Sequence, residues 1–326
     1  MKVSPTPTAG FFSFSPMRCI LYALLCCLPV CAFAAGTYPQ TIREAGDRTV
    51  SVGKAYQRII SLYPAHTENL CSMGAARQLV GISRTDSFPE KIVELPRFSA
   101  RDDAEKFIAH HPDLVLVRPM IERAYPELLK KLKKSGITVI SLQPGSAEQM
   151  FDYWLALGIL SGHQQQAQAM VAEFTQKSDL YRQKLEQRPL NTRPMVYFSA
   201  IHKKMKTFAE GSMALFVLEL AGGRNVAGDA TRVRSTNIAY FGKEKLLSRG
   251  EQIDIFLSQH GRMNPASREI IASEPGFKAI RAVREQKIYL VEEAIVSRPT
   301  MRLLQGIATL ENILYPVADG NQKEKR

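Results

Sequence analysis

Nine residues have side chains suited to binding a metal or an anion, and most of them directly follow a predicted strand. Tyrosine and histidine can coordinate iron, while arginine and lysine suit carboxylate or catecholate oxygens. The candidate ligand-binding residues are Tyr63, His66, Arg118, Met120, His202, Lys203, Tyr240, His260 and Arg298. Ligands of open α/β sheets bind beyond the carboxyl ends of the strands, so these positions predict one shared ligand cleft.

His66 is the candidate metal contact of this set. Its alternative role is structural, as a residue that begins a helix and hydrogen-bonds its own backbone. His202 and His260 also follow predicted strands and are further candidates for ligand contact. A bare transition metal held by these three histidines would lack an evident fourth ligand.

Catalytic signatures are absent from the sequence after residue 34. It contains no Walker loop, no GxGxxG, GxSxG or HExxH pattern, and no zinc-type cysteine spacing. The sequence therefore favours a binding protein over an enzyme. An exported enzyme that modifies a metal chelate or a tetrapyrrole remains the alternative, and it would need a nucleophile or a general base facing the cleft.

The N-terminus has the composition of a secretory signal peptide. Lys2 and Arg18 precede an apolar run that ends in Ala32-Phe33-Ala34, which predicts cleavage near Ala34. A lipoprotein anchored at Cys31 is the weaker alternative, because the preceding Val30 is not small. The full chain of 326 residues has a formal net charge of +12, which favours anionic ligands. Nucleic acid is not expected as a partner of an exported protein.

Two blocks of alternating strands and helices should position the candidate residues. The first covers about residues 47–142 and includes a helix from about Ile121 to Lys134; the second begins at Met195 and includes a helix that starts at Asn264-Pro265. Between them, Gln164–Gln187 has no internal glycine or proline and carries an apolar stripe at helical spacing.

The predicted fold class is α/β, with two Rossmann-like lobes that have parallel-rich central sheets and are joined by one long rigid α-helix. We predict a signal peptide over residues 1–34, an N-terminal lobe over 35–145, a helical segment with the inter-lobe helix over 146–190 and a C-terminal lobe over 191–326.

Several motifs, in this order and spacing, resemble the class III periplasmic binding proteins, which are the ferric-siderophore, haem and cobalamin receptors of ABC importers. The resemblance covers about residues 45–316. It rests on Arg58-Ile59-Ile60-Ser61-Leu62 with Pro64, Thr67-Glu68 and Gly74; on Pro112-Asp113-Leu114-Val115; on Leu218-Glu219-Leu220-Ala221-Gly222-Gly223-Arg224-Asn225-Val226; and on Ala282-Val283, Lys287-Ile288-Tyr289, Arg298-Pro299 and Arg302-Leu303.

The resemblance implies a periplasmic, non-catalytic receptor that acts as a monomer and carries a metal chelate as cargo, with no cofactor of its own. It also implies docking onto a permease dimer through one glutamate on each lobe. The matching residues are Glu105 and Glu244, which could otherwise be ordinary surface charges.

The cargo is left open by the resemblance. Haem receptors use a tyrosine or histidine as axial ligand, which suits Tyr63 or His66. Ferric chelates carry negative charge, which Arg118, Arg298 and the Lys203-Lys204 pair would complement. Cobalamin receptors depend on aromatic contacts, and the single tryptophan, Trp154, falls in a predicted helix. We therefore expect an iron chelate or haem, with cobalamin or a transition metal as alternatives.

Overall fold

The structure of the protein is a computed structural model that describes Met1 and residues 37–234 and 236–316. Apart from Met1, the predicted signal peptide and its cleavage point near Ala34 lie outside the described residues. The fold reported below is that of the compact unit that begins at Tyr38. No helix in the described part of the chain is long and apolar enough to cross a membrane.

The N-terminal lobe is built on a five-stranded parallel sheet. A hairpin of β1 (Gln40–Arg43) and β2 (Thr49–Val52) precedes β3 (Ile59–Ser61), β4 (Leu79–Ser83), β5 (Arg97–Phe98), β6 (Leu114–Val117) and β7 (Thr138–Ser141). The sheet order is β5-β4-β3-β6-β7. The helices are α1 (Pro64–Ser72), α2 (Ala104–Ile108), α3 (Pro119–Ala124) and α4 (Pro126–Lys134). All four residues of β6 are buried, as expected of a parallel strand covered on both faces.

One predicted helix of this lobe is two helices. The prediction of a continuous helix from Ile121 to Lys134 was wrong, because α3 ends before Tyr125 and α4 begins at Pro126. Tyr125 has φ −134° and ψ 50°, which is not helical. Proline lacks the N–H group that would continue the hydrogen-bond ladder and disfavours a helical conformation in the residue before it.

Two helices connect the lobes: α5 (Gln149–Ser161) and α6 (Gln164–Glu186). Gly162, at φ 75°, ends α5 in the left-handed conformation that glycine adopts without strain. The bounds of α6 agree with the predicted long helix, and its residues Ala167, Met170 and Phe174 are buried as the apolar stripe predicts. This helix packs against α5 and also contacts helices of the C-terminal lobe.

The C-terminal lobe contains a seven-stranded mixed sheet. Its strands are β8 (Met195–Ile201), β9 (Lys206–Phe208), β10 (Arg224–Asn225), β11 (Thr231–Arg232), β12 (Ile238–Tyr240), β13 (Ile255–His260) and β14 (Ile288–Glu292). The order is β11-β12-β9-β8-β13-β14, with β10 paired to β8. Strands β8, β10, β13 and β14 pair in parallel, and β9, β11 and β12 form an antiparallel extension. The helices are α7 (Met213–Leu220), α8 (Lys243–Ser248), α9 (Arg268–Ala272), α10 (Arg281–Arg284), α11 (Glu293–Val296) and α12 (Leu303–Leu314).

The helix predicted to start at Asn264-Pro265 begins later. Asn264 lies in a turn, where its side-chain Nδ2 donates to Ser258 Oγ at 3.1 Å and to the Gln259 carbonyl at 2.7 Å. Helix α9 starts at Arg268, because the Ser267 hydroxyl accepts the Ile270 N–H at 3.2 Å and caps it. The prediction of the Asn-Pro start was wrong because Asn264 hydrogen-bonds the preceding strand instead.

Each lobe has a hydrophobic cluster of its own, and a larger one runs through both lobes and the helices between them. It includes Ile59 and Leu116 of the first sheet, Trp154 of α5, Phe174 of α6 and Phe198 of the second sheet. The predicted fold class is confirmed: two α/β lobes are joined by one long helix. Because the core is continuous, this helix is packed between the lobes along its first half.

Candidate functional site

Tyr63 lies at the junction between β3 and α1. Its backbone is extended, with φ −146° and ψ 126°, and Pro64 occupies the first position of the helix. Its carbonyl oxygen accepts the N–H groups of His66 at 3.0 Å and Thr67 at 3.3 Å, and the Ser61 hydroxyl at 3.1 Å. The backbone of Tyr63 is therefore fixed, which limits where its side chain can point.

Two arginines, one from each lobe, act on the Tyr63 phenol. The guanidinium carbon of Arg118 lies 5.0 Å from the ring centroid, and Arg298 is close enough to affect the charge of the phenol. The side chain is 8% exposed, and no described residue hydrogen-bonds its hydroxyl. Burial raises the pKa of Tyr63 to about 12, while both arginines favour the phenolate.

His66 lies beneath Tyr63 in the protein interior. Its Nε2 is 3.1 Å from the Val117 carbonyl oxygen, which can only accept, so Nε2 carries the proton. Its Nδ1, at 2.8 Å from Tyr153 Oη, then accepts the tyrosine hydroxyl. The ring is fully buried and contacts the Tyr63 ring edge-on at 5.1 Å between centroids.

Both nitrogens of His66 are therefore occupied, and neither is available to a metal or a ligand in this arrangement. Burial lowers its pKa to about 4, which keeps the imidazole neutral. The structure does not support direct ligand contact by His66. It supports a positioning role, in which the imidazole packs against Tyr63 and fixes the carbonyl group that precedes Arg118.

A buried ion-pair cluster of Glu68, Arg298 and Arg302 connects the lobes beside Tyr63. Glu68 Oε1 lies 3.1 Å from Arg298 Nη1 and 3.7 Å from Arg302 Nη1. The Glu68 side chain is 2% exposed, so burial raises its pKa despite the attraction of the two arginines. Removing one partner of such a cluster would leave a buried charge uncompensated.

Exposed apolar side chains border the site on both sides. Met120 is 51% exposed, and its sulfur lies 4.0 Å from Arg118 Nη2. On the other side, Phe88 is 44% exposed, and the guanidinium of Arg302 lies over its ring at 4.8 Å. A ligand above Tyr63 would therefore meet cationic groups near the phenol and apolar groups at the edges.

The remaining predicted residues lie at strand ends of the C-terminal lobe, and His260 pairs in the sheet with Glu292, whose carboxylate lies 3.8 Å from Arg302. His202 is buried against the Phe277 ring, with Nε2 3.8 Å from Glu274 Oε2, and burial lowers its pKa. His260 Nδ1 lies 3.2 Å from the Ala266 carbonyl, which makes it part of a turn. Lys203 and Tyr240 are exposed. No contact among the described residues joins any of these four to Tyr63.

The histidines do not assemble a metal centre. Within residues 37–234 and 236–316, no group of three or more His, Cys, Asp or Glu side chains could hold a metal ion. The hypothesis of a bare transition metal bound by His66, His202 and His260 is therefore not supported.

Sequence reasoning did not identify Glu68, Arg302 and Phe88 as site residues. The available signal was the acidic Glu68 within a buried helix, because a buried carboxylate needs a cationic partner. The partner, Arg298, is 230 positions away in the chain. Its distance explains why the pairing could not be assigned from the sequence.

Glu105 and Glu244 occupy equivalent places in the two lobes. Each lies in the first turn of a short helix, Glu105 in α2 and Glu244 in α8, and both are exposed. Neither forms an ion pair with another described residue. Their carboxylates are therefore available to a partner.

The chain is similar to several known solute-binding proteins. A family model described as periplasmic binding protein matches residues 59–294. The ABC transporter substrate-binding lipoprotein YvrC of Bacillus subtilis, described as uncharacterized, is 24% identical over 291 residues, which are 86% of each chain. A vitamin B12-binding protein of Vibrio cholerae is 27% identical over 254 residues, which are 77% of this chain and 86% of the relative.

Among solved structures, a Staphylococcus epidermidis protein described as a possible iron-binding (periplasmic solute-binding) protein superposes with a TM-score of 0.69 at 27% identity. The match covers 80% of this chain and 100% of that one.

Proposed function

Because the chain belongs to the periplasmic binding protein family, we propose that it captures an anionic iron chelate, a ferric siderophore or haem, at the Tyr63 site and delivers it to an ABC importer. The observation that carries this proposal is a tyrosine whose hydroxyl has no described partner, with Arg118 over its ring and its phenolate favoured by Arg298 of the other lobe. The iron-binding description of the Staphylococcus epidermidis protein supports the same ligand class.

The chemistry of Tyr63 suits ferric iron. With a pKa of about 12, the free phenol keeps its proton at neutral pH, and coordination to ferric iron would displace that proton. Arg118 and Arg298 would stabilise the phenolate and pair with carboxylate or catecholate oxygens of the chelate. Phe88 and Met120 would cover its apolar parts.

Cobalamin is the second candidate ligand, and it is favoured by the similarity to the vitamin B12-binding protein. The Tyr63 site supports it less, since Trp154 is fully buried and hydrogen-bonded to Pro299, so it offers no aromatic surface to a ligand. A titration with both iron ligands and cyanocobalamin distinguishes the two ligand classes.

The chelate in this proposal is cargo, and the protein needs no resident cofactor. We expect stoichiometric capture without turnover, with the chelate recovered unchanged. Delivery requires a permease, and we infer that Glu105 and Glu244 dock onto cationic groups of its two subunits. Export through a signal peptide cleaved near Ala34 is part of the proposal. The lipoprotein name of the Bacillus subtilis relative leaves an anchored form as the alternative.

The deciding experiment is a titration of the mature protein with haem, a ferric catecholate and cyanocobalamin, followed by absorbance. We expect Tyr63→Phe to weaken binding of the iron ligand by about ten-fold or more, because it removes the oxygen that would coordinate iron. Arg118→Gln should weaken both anionic iron ligands in the same titration.

The matched control is Tyr181→Phe, which removes the same atom from a tyrosine on the inter-lobe helix, where its ring contacts Lys184. It should leave the affinity unchanged. Full affinity of Tyr63→Phe for every iron ligand, or tight binding of cyanocobalamin alone, would contradict the proposal.

A further inference from the structure

A second concave surface, here called the lysine pocket, lies in the N-terminal lobe away from Tyr63. It has a volume of about 680 Å³ and is bounded by α4, by Arg48 at the end of the hairpin turn, and by the last residues of β6 and β7, Val117 and Ser141. It therefore lies at the carboxyl edge of the parallel sheet, where ligands of open α/β sheets bind. Tyr63, Arg118 and Arg298 do not line it.

The positive charge of the lysine pocket is not neutralised. Lys130, Lys133 and Lys134 line it, and none of them forms an ion pair with a described residue. Its two acids are already paired, because Arg48 lies 3.3 Å from Glu44 and 2.6 Å from Glu122. Arg48 offsets only one of the two carboxylates and Lys133 also attracts Glu122, so the charged side chains that line the pocket leave a net charge of about +2 for an anion.

The floor of the pocket is apolar and has one polar group. Leu129 and Val139 are 5% and 9% exposed, and Val117 is fully buried. Ser141 is 2% exposed; its Oγ lies near the Glu122 carboxylate, yet no described residue meets hydrogen-bond geometry with it. This hydroxyl faces the Glu122 carboxylate, so it is part of the pocket floor and the lysines alone are proposed to hold the anion.

From these contacts we propose that the lysine pocket binds an amphipathic phosphate: a phosphate group held by Lys130, Lys133 and Lys134, with an apolar portion against Leu129 and Val139. Lysine ammonium groups are compact charges that suit phosphate oxygens. The phosphate can belong to a soluble phosphoester or to the headgroup of a lipid, since both present the same group.

The test is a titration of the full mature protein with dihexanoyl phosphatidic acid below its micelle concentration, followed by calorimetry. Inorganic phosphate and phosphatidylglycerol vesicles form the other two arms. We expect the soluble amphiphile to bind, inorganic phosphate to bind at least ten-fold more weakly, and Lys133→Gln to weaken the amphiphile by about ten-fold. Binding to vesicles in addition would identify lipid as a source.

The matched control is Lys131→Gln, which removes the same charge from the same helix at an exposed position outside the pocket. It should leave binding unchanged, as should Tyr63→Phe, which separates this result from that of the chelate site. Binding to vesicles alone, with Lys131→Gln and Lys133→Gln equally weakened, would overturn the proposal in favour of a general basic surface. Absence of binding, or equal affinity for inorganic phosphate, would also overturn it.

Discussion

Tyr63 and His66 are three residues apart at the start of α1, yet their side chains meet different surroundings. The hydroxyl of Tyr63 has no described partner, whereas His66 is fully buried between Tyr153 and the Val117 carbonyl. This difference follows from geometry. The Tyr63 side chain, at the cap position, points away from the helix, whereas the His66 side chain, in the first turn, points into the protein interior.

His66 should make the stability of the protein depend on pH. Its folded-state pKa of about 4 lies below the ordinary value of 6.5, so the unfolded chain binds a proton between these values and the folded chain does not. Stability should therefore be lost as pH falls from about 6.5 to 4, by up to about 3 kcal/mol. Urea unfolding at several pH values measures this loss.

His66→Gln is the informative comparison, because glutamine can hydrogen-bond but does not titrate. The stability difference between wild type and His66→Gln should shrink toward acidic pH. A difference that stays constant from pH 7 to pH 4 would show that His66 is not held neutral by burial.

At the scale of elements, close helix packing in the C-terminal lobe depends on a glycine. A Cβ atom on Gly306 in α12 would lie within 2.0 Å of the Ile295 carbonyl oxygen at the end of α11. This neighbour is backbone and cannot rotate away. Gly306 therefore allows α12 to approach the segment that carries Arg298 into the site.

Gly306→Ala should destabilise the protein. Alanine favours a helix over glycine by about 1 kcal/mol, but overpacking against backbone costs about 1 to 3 kcal/mol or more. We expect a net loss of more than about 1 kcal/mol in urea unfolding. Gly53→Ala, at a position with no atom within 4 Å, should change stability little. A Gly306→Ala protein as stable as wild type would contradict the close approach.

At the scale of the whole molecule, the lobes are bound to each other by packing and by specific hydrogen bonds. The Pro299 carbonyl accepts both Asn69 Nδ2 and Trp154 Nε1 at 2.9 Å, and Arg298 pairs with Glu68. Large hinge motion would have to break these buried contacts. The arrangement suits a receptor whose lobes hold a fixed separation, which would keep the two proposed docking points at a constant distance.

Charge reversal tests the two docking points together. Glu105→Lys with Glu244→Lys should abolish uptake of the chelate by cells that depend on this protein, because like charges would then face the permease. Capture by the purified variant should be unchanged. A control with Glu127→Lys and Glu219→Lys reverses two other exposed glutamates, one in each lobe, and should leave uptake intact. Normal uptake by the Glu105–Glu244 variant would reject the docking assignment.

The chain sequence was sufficient for features that depend on local pattern. The 23-residue α6 follows from an apolar stripe without glycine or proline, and the parallel strands follow from short β-branched runs such as Leu114–Val117. The order of the sequence motifs around these elements was sufficient to identify the family. Pro126 was also a local signal, and it should have led to the prediction of two helices instead of one.

Only the tertiary structure decided which candidate residues share a site. Tyr63 contacts Arg118 and is affected by the charge of Arg298, whereas His202 packs against Phe277 and His260 pairs with Glu292 without contacting Tyr63. The physical reason is that packing between segments far apart in the chain decides which way a side chain points. The same packing brings Glu68 to Arg298. Local propensity carries no information about such contacts.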